Sequence, residues 1–229
     1  IIIYKILRSE DYQIWAPGNL FFNYLNLPSN HFSGQYLPST DTIQNIRNKT
    51  IKVVTQESST IKYTKDYTNT IIVSLPSEKS CLWVLDKDRE ELPNNASELA
   101  KSNIIYSDTD KLVQKNTPPA IPPTQIFGHE PPKTWCYYFQ KGSLLRQLKD
   151  WNKIDQLAQE VLEKNIKPKD SNEWLPFIEG LIVSKKYTQA ENLIKIASQD
   201  KSKVFTNNLC RIVQRLEAEA FKKYCQQKT

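Results

Sequence analysis

The sequence predicts an α+β protein: a small antiparallel β-containing N-terminal module (residues 1–115), a Pro-rich strap (116–133) and a C-terminal all-α stack of helical hairpins (134–229). Three observations carry this prediction. Residues 50–85 hold four short runs rich in Val, Ile, Thr and Tyr, separated by Ser, Asn, Pro and Lys clusters, which is the pattern of half-buried strands. Pro118-Pro119, Pro122-Pro123 and Pro131-Pro132 favour extended geometry and forbid a continuing helix. Beyond Thr134, apolar residues recur at spacings of three and four, the period of a helix face.

Residues 1–45 mix aromatic and polar side chains without a clear period; Leu20–Leu25 suits a short helix and the rest reads as ordered loop. Thr50–Thr55, Thr60–Thr64, Thr70–Leu75 and Cys81–Leu85 predict an antiparallel meander. A short helix over Asn95–Ser102, capped by Asn94 or Asn95, and a brief strand at Ile104–Tyr106 follow. Ile121, Ile126 and Phe127 give the strap apolar residues that a free linker has little use for, so it is expected to pack across a surface.

In the helical half, Thr134 caps a first helix running to about Leu148 and Asp150 a second running to about Lys164, where Asn165 and Pro168 close the hairpin. A third helix starts near Ser171, with Pro176 close to its first turn, and a fourth runs from about Thr188 to Ser198. A fifth, from Lys203 to about Lys223, buries Phe205, Leu209, Ile212, Val213, Leu216 and Ala220 and caps the stack. Residues 134–168 and 170–200 read as one pattern written twice, with Trp151 matching Tyr187 as core aromatics and Gly142 where paired helices approach. Trp174, Phe177, Ile178, Leu181, Ala190, Ile194 and Ala197 fall on the tetratricopeptide spacing, so the stack resembles tetratricopeptide repeats, which usually bind.

Composition bounds the function. The chain has 229 residues, 39% hydrophobic and 24% charged, enough for one large or two modest cores. The net charge of +6 is concentrated in residues 203–229, which is too modest and local for a nucleic-acid partner. No run of 18 apolar residues occurs, so no segment spans a bilayer by itself. Cys81, Cys136, Cys210 and Cys225 lack C-x-x-C spacing and nearby His, which speaks against a metal. Buried thiols are expected; were Cys210 and Cys225 on one helix, about 22 Å would separate them at ~1.5 Å per residue, so a bridge would have to join different elements, for example Cys136 to Cys210. His31 and His129 have no partner at metal-ligand spacing, and no phosphate loop or nucleophile elbow is present, so no cofactor and no catalytic residue is assigned. Asp86, Asp88, Glu90 and Glu91 read as a solvated turn.

The words Glu130-Pro131-Pro132, Trp135-Cys136-Tyr137-Tyr138-Phe139 with Lys141, Arg146-Gln147, Asp150-Trp151 and Glu173-Trp174-Leu175-Pro176-Phe177-Ile178-Glu179-Gly180 resemble the C-terminal end of a bacterial family of large, multi-spanning, glycosyltransferase-like membrane proteins. Cys81-Leu82-Trp83-Val84-Leu85-Asp86 and Ser102-Asn103 look like that family's short strand and Ser-Asn step, so the resemblance covers roughly residues 50–216. Gln140, Gly142 and Leu145 depart from it, where Glu, Ala and Ala are more usual. The resemblance implies a domain that follows a bundle of membrane helices on the extracytoplasmic side. Together with the missing Met, it leads to the expectation that Ile1 is not a natural start and that apolar spans precede it.

The expected function is a non-enzymatic interaction or scaffold domain, its partner a protein or the membrane-embedded part of its own chain. Candidate binding residues are Glu130, Trp135, Tyr138, Arg146, Glu173, Trp174 and Glu179, with the three glutamates in a polar network at the strap-to-repeat junction. The alternative is an accessory domain contacting a glycan or lipid-linked sugar, with Trp15, Tyr36 or Trp83 stacking on it. A cytosolic scaffold is the third reading. Arg211, Arg215, Lys222 and Lys223 would supply salt-sensitive attraction to an anionic surface.

Overall fold

The computed structural model describes residues 2–4, 35–36, 38–55, 62–68, 70–77, 80–110, 124–130 and 132–225. The helix expected at residues 20–25 and the packing of the strap over 116–123 lie outside them. The described chain is mixed α and β and mostly helical. It divides into two compact units, the first formed by Ile1–Leu75, Val84–Arg89 and Ser97–Glu130, the second by Pro76–Trp83, Glu90–Ala96 and Pro131–Thr229. Two segments assigned from the sequence to the β module thus belong to the helical unit.

In the first unit, β1 (Ile2–Tyr4) lies parallel to β2 (Gln35–Tyr36) on one side and to β5 (Ile72–Ser74) on the other, in a sheet of order β2-β1-β5-β6 with β6 at Trp83–Val84. Helix α1 (Thr40–Arg47) follows Ser39, whose Oγ accepts from the Thr42 N–H, with Asp41 in the first turn to complement the helix dipole. Then β3 (Ile51–Thr55) pairs antiparallel with β4 (Lys62–Asp66). The expected meander is therefore corrected: its first two strands form a separate antiparallel hairpin, while Ile72–Ser74 lies between β1, to which it is parallel, and β6 in the other sheet. Buried on every residue, β5 needs cover on both faces, which a meander with one solvated face does not provide.

Helix α2 (Glu98–Asn103) is capped by Ser97, whose Oγ accepts from the Ala100 N–H, and not by Asn94 or Asn95. Ile104–Tyr106 is a 3-10 turn and not a strand; it brings Ser107 under the sheet, where its hydroxyl donates to the Leu85 carbonyl at 2.6 Å and accepts from the Ile72 N–H at 2.9 Å. Arg47 of α1 donates to Asn103 Oδ1 at 3.3 Å. A short helix, α3 (Thr124–Phe127), lies near the end of the unit.

The second unit contains α4 (Trp135–Leu148), α5 (Trp151–Glu163), α6 (Leu175–Val183), α7 (Tyr187–Ala197) and α8 (Lys203–Arg215). Asp150 caps α5 through the Lys153 N–H, and Ser202 caps α8 through the Phe205 N–H. Non-glycine residues in the left-handed region, Lys149, Asn165, Lys185 and Glu217, turn the chain after α4, α5, α6 and α8. The core is formed by Ile154, Leu157, Ala158 and Val161 of α5, the apolar side chains of α6, Leu193 and Ile194 of α7, and Phe205, Leu209, Ile212 and Val213 of α8. Gly142 and Gly180 mark the closest approaches: a Cβ on Gly142 would meet the Phe177 ring at 3.1 Å, and one on Gly180 would meet Ile154 Cγ2 at 2.3 Å.

Three expectations are corrected here. The last helix stops at Arg215; the chain turns at Glu217 and continues as a 3-10 helix (Glu219–Tyr224), which leaves Ala220 exposed and buries Phe221. That reversal brings Cys225 back to Cys210, with Cα atoms 5.4 Å apart in a disulfide, and a second disulfide joins Cys81 to Cys136 with Cα atoms 5.2 Å apart. The expected buried thiols and the example pairing of Cys136 with Cys210 are both replaced. Trp151 and Tyr187 each open the second helix of their hairpin, yet Trp151 is half-buried and Tyr187 is 47% exposed, so neither is a core aromatic.

Candidate functional site

The helical unit concentrates its polar chemistry in an internal seam where Pro76–Trp83 and Glu90–Ala96 meet the helices. Residues 90–96 contain no regular element, so their polar groups need partners from side chains if they are to be buried. Asp170 supplies several. Its Oδ2 accepts from the Asn94 N–H at 3.0 Å, and its Oδ1 accepts from Asn94 Nδ2 at 2.9 Å and Asn172 Nδ2 at 2.8 Å. Asn208 of α8 donates to both the Leu92 carbonyl and Asn172 Oδ1 at 2.7 Å, and the Ser202 hydroxyl donates to Asn94 Oδ1 at 2.9 Å.

Next to this lies an alternating set of four charges. Arg146 of α4 bonds Glu179 of α6 and, at 2.9 Å, Glu91; Arg215 of α8 bonds Glu91 at 2.8 Å and Glu179 at 2.9 Å. Both glutamates and Arg146 are buried, while Arg215 reaches solvent. Burial favours the neutral acid at Glu91, but the facing Arg146 and Arg215 outweigh it and hold the carboxyl below its ordinary range. At Arg146 burial likewise opposes the charge, and Glu91 and Glu179 overcome it, raising the pKa. The formal charges cancel, the condition under which a buried ionic group is tolerated.

Glu173 is handled differently. It sits in a 3-10 turn (Ser171–Trp174) capped by Asp170, is fully buried, and accepts from the Cys81 N–H at 2.7 Å. Burial, with the nearby Asp170 charge adding to it, pushes this carboxyl up to about 7, against the opposing effects of the Cys81 N–H and the indoles of Trp135 and Trp83. Neither indole N–H closes a hydrogen bond of standard geometry. Trp135 stands edge-on to Trp174 at 4.6 Å between ring centroids, and Trp83 lies 5.0 Å from Phe139. The Gln140 amide donates to the Leu82 carbonyl.

Of the seven candidate residues, Trp135, Tyr138, Arg146, Glu173, Trp174 and Glu179 are buried and Glu130 is exposed. Glu173 and Glu179 belong to the seam; Glu130 has no part in the bonds described for it. The Tyr138 hydroxyl donates to Glu160 at 2.9 Å and accepts from Lys164 at 3.0 Å, tying α4 to α5. Trp83 is buried and offers no exposed stacking face; Trp15 lies outside the described residues, as does the side chain of Tyr36. Glu91 does not belong to a solvated turn. Asp86 also departs from that expectation, through its ion pair with Arg89. Of the four cations expected to attract an anionic surface, Arg211 donates to the Glu90 carbonyl, Arg215 serves the buried glutamates, and the exposed Lys222 and Lys223 pair with Glu219 and Glu191.

Sequence reasoning missed Glu91, Asp170, Asn172, Asn208 and the Cys81–Cys136 pair. The usable signal was Asp170-Ser171-Asn172-Glu173, four consecutive polar residues directly ahead of an apolar helix, too many for a single cap. A surface depression of about 490 Å³ lies elsewhere in the unit, beside Tyr187, Glu217 and Glu219 and floored by Ile182 and Phe221. Among the described residues no group of His, Cys, Asp and Glu is arranged to hold a metal ion, and no helix is long and apolar enough to cross a membrane. No family model, curated protein or solved structure matches this chain.

Proposed function

We propose that the chain is a non-enzymatic interaction domain on the extracytoplasmic side of a membrane, built on a tetratricopeptide-like stack and attached through spans outside this sequence. The observation that carries this reading is the pair of disulfides, Cys81–Cys136 and Cys210–Cys225, in one helical unit. Disulfides persist in oxidising compartments and are rare in the cytosol. The step from Trp151 to Tyr187, each at the start of a second helix, supports the repeat reading. The absorption of Arg146, Glu179 and Glu173 into internal bonds supports a scaffold role, because these side chains are committed to holding the fold. The partner is a protein or the membrane-embedded part of the same polypeptide.

Protease added outside intact cells whose outer envelope has been opened should remove a tag placed after Thr229. Protection of the tag until the inner membrane is breached would move the domain to the cytosol. A second reading, contact with a glycan, draws on the depression at Tyr187: a half-exposed aromatic ring beside two carboxylates is suited to stacking on a sugar face and bonding its hydroxyls. Titration with oligosaccharides followed by tyrosine resonances would show saturable shifts that Tyr187→Ala removes; an unchanged spectrum at millimolar sugar rejects this reading.

A further inference from the structure

We propose that Cys81–Cys136 is a thiol-exchangeable disulfide, in which an external thiolate attacks the Cys136 sulfur and Glu173 delivers a proton to the departing Cys81 sulfur. The two sulfurs differ in surroundings. Cys136, in the first turn of α4, is half-buried, whereas Cys81 is 2% exposed. Glu173 Oε2 stands 3.4 Å from Cys81 Sγ, while its Oε1 is held by the Cys81 N–H at 2.7 Å, so one residue fixes the carboxyl by its backbone and presents its sulfur to it. Of the charged groups, Asp170 acts on Glu173; the other polar groups around it are the indole N–H groups of Trp135 and Trp83, buried and without a closed hydrogen bond. An acid kept protonated near neutrality, against the sulfur that must leave, is what exchange at a buried disulfide requires, because a bare thiolate released into an apolar site carries the full penalty of desolvation.

The reaction balances without another redox group. A thiol loses its proton to solvent, and the thiolate forms a bond to Cys136 Sγ as the Cys81–Cys136 bond breaks. The electron pair leaves on Cys81 Sγ, which takes the proton from Glu173 and becomes a thiol beside a carboxylate. A second thiol attacks the sulfur of the incoming group, releasing its disulfide and leaving Cys136 reduced. Two external thiols are oxidised and one disulfide is reduced. In reverse, the Glu173 carboxylate takes the Cys81 proton, and the resulting thiolate closes on a mixed disulfide at Cys136. The co-reactant is a small thiol or the thiol of a redox protein. This inference goes beyond the scaffold reading and stands whichever partner the domain has.

The test uses the intact chain and reduced glutathione, with acid quenching, alkylation and peptide mass spectrometry. The first adduct should sit on Cys136 with Cys81 as the free thiol, formed faster than global unfolding recorded in parallel by tryptophan fluorescence. Divided by the thiolate concentration, the rate constant should fall about tenfold between pH 6 and pH 8, as a donor titrating near 7 empties. In Glu173→Gln that ratio should stay within about twofold. The Cys210–Cys225 bond reports the behaviour of a second disulfide in the same sample. An adduct on Cys81, reduction no faster than unfolding, or a flat wild-type profile each overturns the proposal. The adduct position and the wild-type profile decide the matter even where the variant does not fold.

Discussion

Glu91 and Glu173 are the same residue type, both buried in one unit, and their carboxyl groups move in opposite directions. Glu91 faces two guanidinium groups; Glu173 faces N–H dipoles and the negative charge of Asp170. The sign of the pH effect differs accordingly. A carboxyl raised from 4.5 to about 7 binds more protons folded than unfolded, so its contribution to stability is present at acid pH and is lost as pH rises through that window, by up to about 3 kcal/mol. Glu91, lowered, contributes above its unfolded pKa and loses that contribution as pH falls through its folded value. Urea melts from pH 5 to pH 8 should therefore show a fall in stability that Glu173→Gln flattens; a parallel fall in the variant would assign it to another group. Arg146→Ala leaves Glu91 and Glu179 with Arg215 alone and should cost roughly 3–5 kcal/mol in the same melts, the scale of an orphaned buried charge. Trp174→Ala should cost a similar ~3–5 kcal/mol, since the ring is 3% exposed and packed on Trp135 and Phe177. Trp174 was legible in the sequence because it lies on a helical apolar stripe. Glu91 was not, because its two arginine partners are 55 and 124 residues away and no local pattern encodes that pairing.

At the scale of elements, what was legible follows the range of the forces involved. Helices α4, α5 and α7 match the expected spans closely, because their periodicity is a local property, although Thr134 makes no side-chain cap bond; α6 begins only at Leu175, after a 3-10 turn over Ser171–Trp174 where its start was expected. The end of α8 is not local: the apolar spacing runs on through Leu216 and Ala220, yet Glu217 takes a left-handed conformation and Phe221 packs edge-on against Tyr187 at 5.6 Å. Tertiary burial of Phe221 and the Cys210–Cys225 bond outweigh continuation of the helix. The parallel placement of β5 beside β1 was hidden for the same reason, since its partner strand is some seventy residues away in sequence. The two glycines of the helical unit make a graded prediction about helix approach. Gly180→Ala drives a methyl into Ile154, branched and fully buried, and should destabilise by about 1–3 kcal/mol. Gly142→Ala meets only the edge of the Phe177 ring and should lose less, partly offset by the better helix propensity of Ala. Equal losses from the two substitutions in thermal melts would mean that the close contact at Gly180 does not govern packing of α5 on α6.

For the molecule as a whole, the disulfides bear on stability through the loops they close. Cys210–Cys225 spans 15 residues, and Cys81–Cys136 spans 55, reaching from one of the irregular segments of the helical unit into α4. If the dominant effect is loss of freedom in the unfolded chain, the shorter loop is worth about 3 kcal/mol and the longer about 4 kcal/mol. Without its bond the longer connection still keeps the Glu173 contact with the Cys81 N–H and the Gln140 contact with Leu82, and these must then hold Cys81 and Leu82, which lie in no helix or strand. Paired replacements, Cys81→Ser with Cys136→Ser and Cys210→Ser with Cys225→Ser, should lower the urea midpoint in that order, and the wild-type chain in excess reductant should fall below both. The reverse order would show that the chain reversal at Glu217, and not the closing of a long loop, dominates the stability that the bonds supply. A midpoint unaffected by reductant would remove the physical reason for an oxidising compartment, and with it the observation on which the extracytoplasmic reading rests.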